Sequence, residues 1–283
     1  MPSKRKPIGN SSITEDEMIE ALGRSGYLIE GRVIRALTRM GMFVQPGQAY
    51  YDEETGKSRE VDAVAEANNW NTSASAKKIA VLTTLVVEII SNLHPVVLLT
   101  PRTGTPNDSF YDYLPFASTP EDGEEHPIFS TETHEELFGI WDWKQFSQYC
   151  SFTRKRAGDE LMAFHPDDLY GSIDKAARFA FQLRDQNAEW TKNSEDDYWR
   201  ILNWEPVIVL QGGLYVLNEN PEGNKLVPAP TGKLEFNFHH RRQSKSVAIN
   251  FVTEAALENF CRGIIMRDTA VGNHIASQRH DLE

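Results

Sequence analysis

The stretch Leu85-Val86-Val87-Glu88-Ile89-Ile90-Ser91 constrains this fold more than any other part of the chain. It is apolar on both faces and rich in β-branched residues, the pattern of a strand buried in a sheet. One carboxylate stands in its middle. An ionised Glu in such a strand costs several kcal/mol of desolvation unless a cation, a hydrogen-bonding partner or a proton compensates it. Glu88 therefore either points to water from an edge strand or belongs to a site, and the strand alone leaves both open.

The elements before this strand are short and well punctuated. Residues 1–13 have the composition of a disordered tail; the tail is basic at its start but lacks an apolar core, so it does not read as a signal peptide. Thr14-Glu15-Asp16-Glu17 predicts a capping box at the head of a short helix. A second helix is expected over residues 28–40, closed by Gly41, with Val33, Ala36, Leu37 and Met40 as its core stripe and Glu30 at the border. Arg32, Arg35 and Arg39 share the opposite face, as a solvated row or as a track for phosphates. Gln48–Asp52 and Arg59–Ala65 read as strands joined by a turn at 53–57 in which Gly56 supplies the positive φ. Period-2 alternation sets Glu60, Asp62 and Val64 on one face and Val61, Ala63 and Ala65 on the other.

Residues 100–165, rich in Pro, acids and aromatics, read as an insertion, with a helix expected over Glu135–Tyr149 carrying Trp141 and Trp143. Ser172 is expected to N-cap a helix over Ile173–Gln186 that buries Ile173, Ala176, Ala177, Ala180 and Leu183. Pro206–Leu210 is a short buried strand, and Gly212-Gly213 turns the chain into Leu214–Leu217. A strand over Val247–Val252 and a helix over Thr253–Met266 follow, and their apolar residues either complete the core or form an interface. The expected organisation is core at 14–99 and 166–220, insertion at 100–165, strand–helix extension at 221–267 and a mobile polar tail at 268–283.

The net charge of −12 argues against a nonspecific polyanion binder, because bulk affinity for nucleic acid comes from clustered Lys and Arg; it leaves room for a local positive face. The two cysteines, Cys150 and Cys261, have no metal-ligand spacing and point to free thiols in a reducing, cytoplasmic compartment. No apolar run is long enough to suggest a membrane span. Neither a phosphate-binding GxxxxGK[ST] loop nor a GxGxxG turn occurs, and the histidines lack zinc-like spacing. The cluster His239-His240-Arg241-Arg242 reads as a turn, solvated or touching a phosphate or partner.

Three local patterns, in this order, resemble a known family. Tyr27-Leu28-Ile29-Glu30-Gly31-Arg32-Val33, Thr55-Gly56-Lys57-Ser58-Arg59-Glu60-Val61-Asp62 and Val86-Val87-Glu88-Ile89-Ile90-Ser91-Asn92 resemble the motifs of the PD-(D/E)xK nucleases. With the helix near 173–186 and the strand at 206–210, they are similar to the αβββαβ core of the restriction-endonuclease-like fold. The resemblance implies an α/β protein with a mixed central sheet flanked by helices, an insertion and a C-terminal strand–helix extension. It implies metal-dependent hydrolysis of phosphodiester bonds in nucleic acid, DNA rather than RNA, with Mg²⁺ or Mn²⁺ as cofactor. Such chemistry needs a divalent cation to neutralise charge and activate water, and Mg²⁺ prefers carboxylate and carbonyl oxygens.

Carried over by the resemblance, Asp62, Glu88 and the backbone carbonyl of Ile89 hold the metal. Glu30 supports the site, Arg32, Arg35 and Arg39 contact nucleic acid, and a homodimer or protein partner is implied. The family's lysine, two residues after the glutamate, is here Ile90. Alternation puts Ile90 on the face of Glu88, where the missing ammonium would have pointed. Lys175 could reach the site from the following helix, or be an ordinary surface lysine. The alternative to a nuclease is an inactive protein of the same fold acting as a binding or structural subunit.

Overall fold

The first helix forms as its capping box requires: the Thr14 hydroxyl accepts from the Glu17 N–H at 3.3 Å, and the Glu17 carboxylate accepts from the Thr14 N–H at 2.9 Å. The computed structural model describes residues 13–71, 78–91, 94–102, 116–118, 125–127, 145–154, 160–191, 198–220 and 223–278. Helix α1 (Glu15–Ser25) turns at Gly26, φ 91°, into α2 (Tyr27–Arg39), which ends before Gly41, φ 82°. In chain order the described strands are β1 (Phe43–Asp52), β2 (Lys57–Asn71), β3 (Lys78–Ile90), β4 (Val96–Arg102), β5 (Phe116–Ser118), β6 (Glu125–Pro127), β7 (Gln145–Arg154) and β8 (Leu161–Phe164). After helix α3 (Asp167–Thr191) come β9 (Tyr198–Leu210), β10 (Leu214–Asn220), β11 (Gly223–Pro228), β12 (Thr231–His240) and β13 (Gln243–Thr253). A 3-10 turn (Glu254–Ala256) then leads into α4 (Leu257–Gln278).

The fold is α/β, with one mixed, mostly antiparallel sheet flanked by helices. Its main path runs β1-β2-β3-β9-β13-β12-β7-β4-β10-β11. Strands β1, β2 and β3 form an antiparallel meander, and α3 then carries the chain over the sheet so that β9 lies parallel to β3 from Lys78↔Tyr198 to Ile90↔Leu210. Alternation along β3 divides the core. Leu85, Val87 and Ile89 pack with Ile29, Val33 and Leu37 of α2 and Leu257, Cys261 and Ile264 of α4. Val86 packs on the other face with Ile173, Ala176, Ala177 and Ala180 of α3, and Ile90 lies against the same cluster. The alanines bring that helix close to the sheet. Each fully buried Val, Leu or Ile contributes about 1.5–3 kcal/mol, so both faces of β3 are anchored strongly.

Several expectations change. The helix expected over Glu135–Tyr149 is strand from Gln145 onward, in β7, while Trp141 and Trp143 lie outside the described residues. The run Gln-Phe-Ser-Gln-Tyr-Cys-Ser-Phe-Thr-Arg is rich in aromatic and small polar residues suited to a pleated surface. Because β7 sits inside the sheet between β12 and β4, the 100–165 region contributes to the core instead of only lying over it. Helix α3 starts at Asp167, not after Ser172: Pro166 accepts from the Tyr170 N–H at 3.0 Å, and Asp167 and Asp168 favour the first turn. Val61 joins Tyr50, Val64 and Val86, whereas Ala63 and Ala65 face α2, so the expected alternation breaks at Asp62.

The C-terminal part differs most. Strands β12 and β13 are not appended but lie in the middle of the sheet, with β13 parallel to β9 and β12 parallel to β7. Val247, Ile249, Phe251, Leu257 and Ile264 are buried, so this segment completes the core. The expected tail from Asp268 is helical as far as Gln278, and Asp268 is fully buried. Arg267 explains this: its guanidinium bonds Glu205, Asp268 Oδ1 at 2.9 Å and Thr83 Oγ1 at 3.0 Å, so the acid arrives with its counter-charge. Cys150 and Cys261 are buried free thiols. Among the described residues no helix is long and apolar enough to cross a membrane.

Candidate active site

The meander and the α3 crossover bring the predicted acids to one end of β3. The β2–β3 ladder stops at Ala63↔Val87. One residue further on, Asp62 turns its carboxylate to β3 and accepts from the Ile89 N–H at 2.7 Å. Ile89 thus enters the site through its backbone N–H. Glu88 points to the α3 side and is 1% exposed. There the Lys175 ammonium meets Glu88 Oε2 at 2.8 Å. The lysine can reach because the spacing of Ile173, Ala176, Ala177 and Ala180 fixes which face of α3 lies on the sheet, leaving Lys175 at the edge of that stripe above β3. Tyr50 Oη donates to the Lys175 carbonyl at 3.3 Å and ties this turn of α3 to β1.

Glu30 completes the group from α2. A Cβ placed on Gly26 would lie 3.6 Å from Glu30 Oε1 and 3.4 Å from Ser91 Oγ, which sets the Glu30 carboxylate beside the end of β3. The electrostatics are those of crowded acid. Burial pushes Glu88 up to about 7, with Asp62 adding to the rise, while Lys175 and the neighbouring Ser172 hydroxyl favour the charged form. Burial also raises Asp62, against the pull of the Ile89 N–H and Lys175. Glu30 is raised by desolvation and then by repulsion from Asp62 and Glu60. The Lys175 ammonium thus acts on Glu88 and Asp62, while Glu30 and Glu60 add negative charge on the far side of Asp62. Glu88 Oε1 is buried with no hydrogen-bond partner.

That donor set has the character hard cations use, carboxylate oxygens with one acceptor left over. Among the described residues, however, no group of three or more His, Cys, Asp or Glu side chains is close enough to hold a metal ion. Ile90 packs against the apolar cluster beneath α3, so the cation of this site comes from α3 and not from β3.

The arginine row of α2 does not converge on the acids. Arg32 is hydrogen-bonded to Glu254 and Arg39 to Glu258, fastening α2 to the start of α4. Arg35 remains exposed between them. Sequence reasoning missed a second charged string beside the site, in which Arg59 bonds Asp52 at 2.9 Å and Arg178 bonds Asp174 at 2.8 Å. The i,i+4 spacing of Asp174 and Arg178 was its visible signal. Ser172, read as a cap, instead lies within α3 next to Glu88. Asn92 lies outside the described residues. The basic cluster at 239–242 forms the tip of the β12–β13 hairpin, with Arg241 and Arg242 both at positive φ. No family model, no curated protein and no solved structure matches this chain.

Proposed function

We propose that the chain is a metal-dependent hydrolase of nucleic-acid phosphodiesters on a restriction-endonuclease-like core. The observation that carries the reading is the Lys175 ammonium, 2.8 Å from Glu88 on the side of β3 where Ile90 leaves no charge. With the intervening β4–β8 set aside, the order α2, β1-β2-β3, α3, β9, with β9 parallel to β3, matches the αβββαβ order of that fold and supports the reading. The surplus of acid and the orphaned Glu88 oxygen support a divalent cation, Mg²⁺ or Mn²⁺, held by Asp62 and Glu88 with Glu30 behind them.

Such an ion supplies charge neutralisation for a phosphodiester under attack. The chain's own groups supply the rest. Lys175 puts a fixed positive charge where negative charge builds on the phosphoryl oxygens. The Ile89 N–H fixes the Asp62 carboxylate, and Tyr50 holds the helical turn that carries Lys175. DNA is the expected substrate.

A second reading, a protein of this fold that binds without cutting, is favoured by two observations. No three metal-ligating side chains converge among the described residues, and Lys175 itself already compensates Glu88. The two readings separate on incubation with Mg²⁺ or Mn²⁺ and single-stranded, duplex and branched DNA or RNA. Metal-dependent cleavage that falls at least about a hundredfold in Asp62→Ala and Lys175→Met, with the variants still folded, is the expected result. No cleavage, together with no metal binding by calorimetry, sinks the hydrolase and leaves the binding protein.

A further inference from the structure

Beside the candidate active site, β1 and the C-terminal half of α3 border an open cavity of about 330 Å³. Its base is aromatic and apolar: Tyr50 stacks on Phe179 with ring centroids 4.5 Å apart, and Leu183 lines the same space. Its rim carries carboxamides from two elements, Gln45 and Gln48 of β1 and Gln182 and Gln186 of α3. The Gln45, Gln182 and Gln186 side chains make no hydrogen bond to another described residue, so their donors and acceptors remain available. Glu66 is the one charged group among the lining residues, and no Lys or Arg is there.

This composition is wrong for a phosphate and right for a neutral planar heterocycle. A flat heterocycle can lie against an apolar floor such as the edges of Tyr50 and Phe179 with Leu183, and a carboxamide can both donate to and accept from a base edge. The volume lies at the lower end of the range for small-ligand sites, about 300–1,000 Å³. Helix α3 sets the distance to the acids. Gln182 and Gln186 follow Lys175 by two and three turns, about 10 and 16 Å along the helix axis. Tyr50 belongs to both places, since it lines the cavity and donates to the Lys175 carbonyl. A base inside a duplex is stacked and paired and cannot enter such a cavity, whereas a base in a single strand or one turned out of a helix can.

We propose that this cavity binds an unpaired nucleobase of the strand whose phosphate lies at Lys175, so that the substrate is single-stranded or locally unpaired nucleic acid. The ligand class rests on the phosphodiester reading of the Glu88 site, and the test is arranged to fail separately from it. The full chain is titrated in EDTA at low salt against a short fluorescent single strand and against its duplex, with anisotropy as the readout. The single strand is expected to bind at least about tenfold more tightly. Gln45→Ala combined with Gln48→Ala, and Gln182→Ala combined with Gln186→Ala, each lower single-strand affinity about tenfold while duplex affinity and the thermal midpoint stay unchanged.

Equal affinity for the two forms, binding to neither, or single-strand affinity untouched by both variants overturns the proposal. Cleavage is measured apart, with metal present. Absence of cleavage with the single-strand preference intact removes the hydrolytic reading alone; cleavage without strand preference removes the cavity proposal alone.

Discussion

Replacing Glu88 by Gln probes the electrostatics of the site while nearly preserving its shape. A free Glu titrates near 4.5, whereas burial, with repulsion from Asp62, pushes Glu88 up to about 7 in the fold despite its contact with Lys175. The folded state therefore holds this proton more tightly than the unfolded chain does. The resulting stabilisation is fully present below pH 4.5 and is lost as the pH rises through about 7. At about 1.4 kcal/mol per pH unit the loss amounts to about 3 kcal/mol. The carboxamide of the variant has no proton to titrate at this position. The wild-type stability minus that of Glu88→Gln should then fall by about 3 kcal/mol between acid and mildly alkaline pH. Asp62 and Glu30 are present in both proteins, so subtraction removes most of their effect. Urea unfolding followed by tryptophan fluorescence at closely spaced pH reads this as a relative midpoint shift on the order of 1 M, for a slope of about 3 kcal/mol/M. Parallel stability curves would refute the claim that burial governs Glu88. A difference of opposite sign would show that pairing with Lys175 outweighs desolvation.

Two further substitutions probe the frame. Arg267→Met removes the guanidinium shared by Glu205 and Asp268, leaving each acid without its ion-pair partner; chemical denaturation should register a loss of about 3–5 kcal/mol that shrinks as the pH falls and the carboxyls take up protons. A loss that does not depend on pH would contradict the assignment. Gly232→Ala would drive a Cβ into Leu98 Cδ1, and should cost about 1–3 kcal/mol by overpacking. The cost should largely vanish in a Leu98→Ala background, and additive thermal unfolding data for the double variant would rule out that contact.

Local chemistry made much of this architecture readable. The Thr14 capping box, the Gly56 turn, and the runs that became β3 and β9 each carry a signal within a few residues, and the acids on α2, β2 and β3 were placed in order by it. Tertiary placement was not readable in the same way. Whether Lys175 met Glu88 depended on where α3 sits over the sheet, which is fixed by alanines contacting strands more than eighty residues away in the chain. Ser172 has a cap-forming side chain, but Pro166 and Asp167 start the helix earlier, so its hydroxyl serves Glu88 from within the helix. Asp268 looks like the start of a polar tail because Arg267, which pairs with it, is anchored on Glu205 and Thr83, both remote in sequence. Nothing within β12 or β13 signals that they lie at the centre of the sheet.

That central position bears on how the chain is made. Among the described residues, the β1-β2-β3-β9 flank and the β7-β4-β10-β11 flank are joined by main-chain hydrogen bonds only through the β12–β13 hairpin. Both flanks leave the ribosome before it does. A nascent chain that has not reached residue 231 carries an inner edge on β9 and another on β7, each built to be covered, and such edges invite pairing with neighbouring chains. The hairpin thus arrives as a keystone, and translation through Thr231–Thr253 is the step that converts two sticky half-sheets into one continuous sheet.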